Sequence, residues 1–382
     1  MTSFSFPTQT LFGVGALAEL PARLANLGVS RPLIVTDGGL VGTPAFKLLE
    51  QVLISSPLSK QWALFSGVHP NPVEQDVTEG AAAFHKNQCD SVIAFGGGSA
   101  LDVGKAIRLF IKRPELKCGE FKWDADWSGL AKCVCIPTTA GTGSEVGRSS
   151  VITLERTGCK AVLFTPKLLA DLVILDPEVT RGLPPKLTAA TGADALTHCV
   201  ESYTCPTFHP LCDGIALEGI HLIVEALPRA VCDGNDMDAR GKMLVAAAMG
   251  AIAFQKDLGA THSLAHPLST VCKMHHGLAN ALCLPAVMRF NSARKPGLYQ
   301  RIGIACGLDV MRSLPAAADE ATISFIEAFL RGIGITGGLR QQGVNESHLD
   351  ELVRQAVDDP CHKTNAVPVS RDDFRALYTA CL

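Results

Sequence analysis

Ser91-Val92-Ile93-Ala94-Phe95-Gly96-Gly97-Gly98-Ser99-Ala100-Leu101-Asp102-Val103-Gly104-Lys105-Ala106 is the stretch whose reading decides the fold. Its start is continuously apolar, without polar alternation, which marks a strand covered on both faces. After the three glycines the apolar spacing turns helical, so strand gives way to helix through a turn with no side chains. Such a turn lets backbone amides approach a phosphate closely. Ser99 is placed to cap the helix, whose N-terminal amides and dipole favour an anion. The stretch is not a Walker motif, because the Lys-Ser/Thr ending is missing, and it is not the spaced GxGxxG fingerprint. The competing reading is a plain tight turn.

The same alternation runs outward. Leu33-Ile34-Val35-Thr36, Trp62-Ala63-Leu64-Phe65, Cys133-Val134-Cys135-Ile136 and Leu172-Val173-Ile174-Leu175 are further β-type runs, and residues 16–27 and 73–86 have amphipathic helical spacing. This pattern predicts a parallel sheet with helices on both faces and ligands at the carboxyl ends of its strands. A second turn, Pro137-Thr138-Thr139-Ala140-Gly141-Thr142-Gly143-Ser144-Glu145-Val146, offers hydroxyls and glycines suited to phosphate or ribose. Its plain alternative is a capped loop before a helix, with Ser144 and Glu145 serving the helix start. Asp37 follows another strand and precedes Gly38-Gly39. An acid there suits a ribose 2′-hydroxyl and repels a 2′-phosphate, which favours NAD over NADP. An Asp-Gly turn is the bland counterpart.

From about Pro177 the grammar changes, and residues 189–203, 211–226, 238–254, 316–330 and 372–380 read as successive helices. The expected architecture is an α/β Rossmann-like N-terminal dinucleotide-binding domain over residues 1–177 and an all-α C-terminal domain over residues 178–382. Composition agrees: 47% apolar and 19% charged residues in a chain of 382 supply core for roughly two domains. A net charge of −3 leaves no electrostatic footprint for nucleic acid or an anionic membrane. No apolar run reaches the roughly 18 residues of a membrane span. The opening Met-Thr-Ser-Phe-Ser-Phe-Pro lacks the regions of a signal peptide. Fourteen cysteines are scattered with no CxxC pair, which favours free thiols, and Cys133 and Cys135 should face one side of a strand. A cytoplasmic protein is expected.

The helical half holds an unusual cluster. Asp194 and His198 stand four apart, as do His262 and His266, and His275-His276-Gly277 follows. Residues four apart share a helix face. Carboxylate and imidazoles among Ala and Leu need partners, and a divalent cation supplies one. Spacing alone does not say which four residues ligate. The donor types suit Fe(II), Zn(II), Ni(II) or Mn(II) alike. His85 and His209, by contrast, read as ordinary satisfied histidines.

Taken together, Gly96-Gly97-Gly98-Ser99 with Asp102 and Lys105, the 137–145 turn, Asp194 with His198, and His262, His266 and His276 resemble the iron-containing (group III) alcohol dehydrogenases. The likeness runs from Phe12-Gly13 to Asn365. It implies a metal-dependent, NAD-linked exchange of hydride between a small alcohol and its aldehyde or ketone, with Fe(II) the first choice of metal and Zn(II) the second. It implies a homodimer or larger homo-oligomer. It maps the metal ligands onto Asp194, His198, His262 and His276, and makes His266 a catalytic histidine near the nicotinamide rather than a ligand. Asp37, Asn71, Gly97, Gly98, Ser99, Asp102, Thr138, Thr139, Thr142 and Lys160 become the cofactor contacts.

Three departures keep the substrate open: the short 254–259 segment, His275 where many relatives carry proline, and Asn365-Ala366-Val367-Pro368. All three are expected to border the substrate. Lys256, Lys273 and His275 are candidates for a substrate carboxylate, as in a hydroxy acid, against the plainer reading of both lysines as solvated surface charges. A hydroxyacid-oxoacid transhydrogenase is a rival activity, and the layout is also similar to glycerol dehydrogenases and to dehydroquinate synthases. The last of these, lyases, need a basic phosphate cluster not found in the helical half.

Overall fold

A computed structural model describes residues 8–59, 61–156, 158 and 160–382. They divide into two compact units, one ending at residue 183 and the other covering 184–382.

The first unit holds β1 (Thr10–Phe12), β2 (Pro32–Asp37), β3 (Ala63–Val68), β4 (Ser91–Gly96), β5 (Lys132–Pro137), β6 (Ser149–Thr153), β7 (Lys160–Phe164) and β8 (Leu172–Leu175). Its helices are α1 (Leu20–Asn26), α2 (Pro44–Ile54), α3 (Glu74–Lys86) and α4 (Gly98–Lys112). Six strands form one sheet in the order β1-β8-β5-β4-β2-β3, every pair parallel. Both faces are covered, which explains the unbroken apolar strands. Ile34, Ile93, Phe95, Val134, Ile136 and Ile174 pack with Leu20 and Leu24 of α1 and with Phe46 and Leu49 of α2. On α4, Gly104 lies so near the sheet that a Cβ would stand 2.5 Å from that of Ala94, so the glycine sets the helix-to-strand spacing. Cys133 and Cys135 face one side as expected, with sulfurs 3.9 Å apart. The hairpin of β6 and β7 stands apart from the main sheet.

The second unit is built from α5 (Pro185–Thr204), α6 (Pro210–Cys232), α7 (Met237–Ala253), α8 (Ala260–Val271), α9 (His276–Arg294), α10 (Gln300–Ala305), α11 (Pro315–Gly332), α12 (Leu349–Asp358) and α13 (Arg371–Cys381). One of its cores joins Leu264 and Leu268 of α8, Cys283 and Val287 of α9, Leu352 of α12, and Phe374 and Tyr378 of α13. Among the described residues thirteen cysteines are free, and no single helix is long and apolar enough to cross a membrane.

Candidate functional site

In the helical unit, α5 presents Asp194, His198 and Glu201 at i, i+4 and i+7, one stripe of the helix. Helix α8 supplies His262 and His266, and α9 begins at His276. A carboxylate oxygen of Asp194 and ring nitrogens of His262 and His276 lie within 4.8 Å of one another. His198 stands beside them, its ring stacked on that of His262 with centroids 4.8 Å apart. The His266 ring stacks on His276 at 5.3 Å. The close approach of α9 to α5 depends on Gly277, where a Cβ would sit 2.2 Å from the carbonyl oxygen of Ala190 and 3.1 Å from the Asp194 Cβ.

Outer partners fix these groups. Glu201 Oε2 accepts the Nδ1 proton of His262 at 2.6 Å, and Glu201 also accepts from the backbone N–H groups of Gly259 and Thr261. Burial alone would raise the Glu201 carboxyl, but the bonds from His262 and Thr261 outweigh it and hold it below its ordinary value. The bond leaves His262 Nε2 as the basic nitrogen, the usual carboxylate–histidine device of metal sites. Asp359 does the same for His266, accepting its Nδ1 proton at 2.7 Å. Asn280, fully buried, donates through Nδ2 to Asp194 Oδ1 at 2.7 Å, and the same nitrogen lies 3.2 Å from Nε2 of both His262 and His276. Its own carbonyl oxygen has no hydrogen-bond partner among the described residues. One amide nitrogen thus faces a carboxylate and two imidazole acceptors. That surplus of converging lone pairs in a buried place fits a divalent cation. Burial pushes the neighbouring Cys199 thiol up to about 12.

In the α/β unit, the register of β4 with β5 sets Gly96 opposite Pro137, so the two sequence turns leave neighbouring strands at the same level. They face each other: a Cβ on Gly98 would meet Thr142 Oγ1 at 2.5 Å, and one on Gly97 would meet Thr139 Oγ1 at 3.5 Å. The Thr138 N–H donates to Gly96 O at 2.9 Å and locks the pair. Gly96 has φ 149°, open to glycine alone, and a Cβ there would lie 3.8 Å from Asp37 Oδ2. Asp37 Oδ1 meanwhile accepts the Leu40 N–H at 3.0 Å, so the acid also makes the turn. Asn71 sits between Pro70, whose carbonyl accepts from Ser99 Oγ at 2.6 Å, and Pro72, whose carbonyl accepts from Thr153 N at 2.7 Å. Thr153 pairs with Lys160 across the hairpin. Asp37, Thr139 and Thr142 therefore lie beside Gly96, Gly97 and Gly98, a cradle of the kind that fits a dinucleotide's phosphates.

Several expectations change. Ser99 does not cap α4; Gly97 takes that position without a side-chain bond, and Ser99 ties down Pro70 instead. The 137–146 turn runs into the single 3-10 turn Ser144–Val146 and then a strand, not a helix. Asp102 is occupied with Ser144 Oγ and the Val151 N–H, and Lys105 is fully buried against the carbonyls of Ser144 and Ser149, so both hold the second turn in place. Lys256 is not a solvated surface charge: its side chain is 2% exposed and paired with Asp213. Asn365 is also buried, accepting from the Ala260 N–H and bonding Asn291, where substrate contact was expected. His209 is satisfied as expected, its Nδ1 accepting the Cys212 N–H. Glu201, Asn280 and Asp359 went unread in the sequence. Glu201 continues the Asp194–His198 stripe and Asn280 lies four residues after His276, so helical spacing carried a signal for both.

Residues 7–177 match the iron-containing alcohol dehydrogenase model, and residues 188–382 match that of the Fe-containing alcohol dehydrogenase family, C-terminal. The chain belongs to the iron-containing alcohol dehydrogenase family. This member is 37% identical to a 4-hydroxybutyrate dehydrogenase of Cupriavidus necator over 99% of each chain. It is 34% identical to an NAD-dependent methanol dehydrogenase of Bacillus methanolicus over 100% of each. A solved 1,3-propanediol oxidoreductase superposes with a TM-score of 0.96 at 33% identity, with 100% of both chains covered. Membership in this alcohol dehydrogenase family implies a bound metal and NAD.

Proposed function

We propose that this enzyme oxidises a small alcohol, or an ω-hydroxy acid, to its carbonyl form with NAD, using a divalent metal held by Asp194, His198, His262 and His276, with Fe(II) in the cell. The observation that carries the reading is the meeting of Asp194, His262 and His276 around the buried Asn280 amide. When bound, the cation supplies Lewis acidity that makes the substrate hydroxyl more acidic, and the nicotinamide takes the hydride. Glu201 keeps the Nε2 face of His262 basic, and Asn280 orients Asp194. His266 receives the hydroxyl proton at Nε2, because Asp359 already accepts the proton on Nδ1. Asp37, Asn71, Gly97, Gly98, Ser99, Thr138, Thr139, Thr142 and Lys160 hold the coenzyme, and Asp37 selects NAD over NADP by its charge. Asp102 contributes by positioning the Ser144 turn.

Similarity to a 4-hydroxybutyrate dehydrogenase and a methanol dehydrogenase leaves the tail of the substrate open. Lys256 is committed to Asp213, so a substrate carboxylate would need the exposed Lys273 or another cation. The reading includes a homo-oligomer in the cytoplasm. Free cysteines and the exposed Phe12 on edge strand β1 support it. The deciding experiment follows NADH formation by Fe(II)-loaded, Zn(II)-loaded and chelated enzyme over short alcohols, diols and hydroxy acids. Metal-dependent turnover is expected. Silence with metal and NAD both bound would favour a transhydrogenase that needs a second carbonyl substrate.

A further inference from the structure

Asp359, at the end of α12, is a hub that the reaction uses only through His266. It accepts the Nδ1 proton of His266 at 2.7 Å, the Ser263 hydroxyl at 2.8 Å and the Cys361 N–H at 2.9 Å. The Cys361 thiol belongs to the same group: its sulfur, an Asp359 oxygen and a His266 ring nitrogen lie within 4.8 Å of one another. All three residues are half-buried, with side chains 26% exposed for His266 and 13% for Asp359. Burial first, and then the carboxylates of Asp359, Glu201 and Asp257, keep the thiol well above its ordinary value, and those three carboxylates are the charges that bear on it. A cation entering here meets a nitrogen, an oxygen and a sulfur donor in a field that attracts it.

We propose that His266, Asp359 and Cys361 form a second cation site, selective for thiophilic ions of the Zn(II) and Cd(II) class, and that filling it inhibits the enzyme. Three protein donors plus one water complete the tetrahedral shell zinc adopts, and the thiolate–imidazole pair excludes Mg(II) and Ca(II). The exchange balances. The ion displaces the Cys361 Sγ proton to solvent, while the His266 proton moves from Nδ1 to Nε2 and the imidazole stays neutral. Carboxylate and thiolate together then neutralise the divalent charge. The His266–Asp359 separation opens from 2.7 Å to about 3.3 Å, the edge of a zinc tetrahedron, within reach of small side-chain rotations. Inhibition rests on the proton role proposed for His266, whose Nδ1 is then held by the ion and no longer by Asp359. The site itself does not rest on that role.

The test uses enzyme carrying one Zn(II) per chain, dialysed against further Zn(II) or Cd(II). Bound metal is counted, the ultraviolet thiolate-to-cadmium absorption is recorded, and turnover is measured. Wild type should take a second equivalent, show the absorption and lose about tenfold in turnover. Cys361→Ser should hold one equivalent, lack the absorption and keep its turnover when zinc is added. Asp194→Asn should lose the first equivalent and activity yet keep the second, so failure of the catalytic reading and failure of this site are told apart. A wild type that stops at one equivalent, or a second ion that survives in Cys361→Ser, overturns the site. A second ion that leaves turnover unchanged overturns the inhibition.

Discussion

The helical unit makes its site from side chains: Asp194, His262 and His276 converge, with Glu201 and Asn280 behind them. The α/β unit makes its site from missing side chains: Gly97 and Gly98 clear the ground that Thr139 and Thr142 face. The first is a cage of lone pairs that only a cation reconciles. The second is a surface of amides and hydroxyls suited to an anion. Deleting atoms should therefore damage one site, and adding atoms should damage the other.

His262→Ala tests the cage most severely. Removing this proposed ligand, which also anchors the Glu201 contact, should strip the metal and cut turnover by about 10³, while NAD binding stays intact by calorimetry. A variant that keeps metal and activity would move the centre elsewhere. Glu201→Gln leaves the ligands in place but weakens the hold on His262, so metal affinity should fall up to about a hundredfold, read from chelator competition. An unchanged affinity would reduce Glu201 to a purely structural group.

In the α/β unit, Glu145 is buried at the end of the second turn, and burial raises its carboxyl to about 7. Between the unfolded value of 4.5 and that value, the folded protein binds the extra proton, so folding stability falls as pH rises through this window. Glu145→Gln should remove the fall and gain about 3 kcal/mol over wild type at pH 8 but little at pH 4, by denaturant titration. Parallel curves would show that the group does not titrate there. The mildest expected effect is that of one added methyl group. Gly98→Ala puts a carbon 2.5 Å from Thr142 Oγ1, so the NAD dissociation constant should rise about tenfold with metal content unchanged. Loss of metal instead would blur the distinction between the two sites.

What was legible in the sequence follows from the range of each contact. The strands Ser91–Gly96 and Lys132–Pro137 announce themselves because burial on both faces demands unbroken apolar residues. The spacing of Asp194, His198 and Glu201 is a property of one helix, and so is that of His276 and Asn280. Asp359 gave no local sign, because its partner His266 lies 93 residues away on another helix. Lys256 misled for the same reason: its counter-charge Asp213 is 43 residues distant, and an isolated lysine in sequence reads as solvated. The hairpin of β6 and β7 was also unread, since Ser149–Thr153 alternates in burial and resembles a loop edge more than a core strand.

Gly277 carries a consequence beyond its neighbours. Because α9 rests backbone-to-backbone on α5 there, the span between Asp194 and His276 is set by two main chains in contact rather than by side chains free to lengthen. Main chains packed at that distance do not spread by fractions of an ångström to suit a guest. The cage therefore measures its ion by radius. It should hold ions of the size of Fe(II) and Zn(II) and grip Ca(II) poorly, whose longer bonds ask for room the helices cannot give.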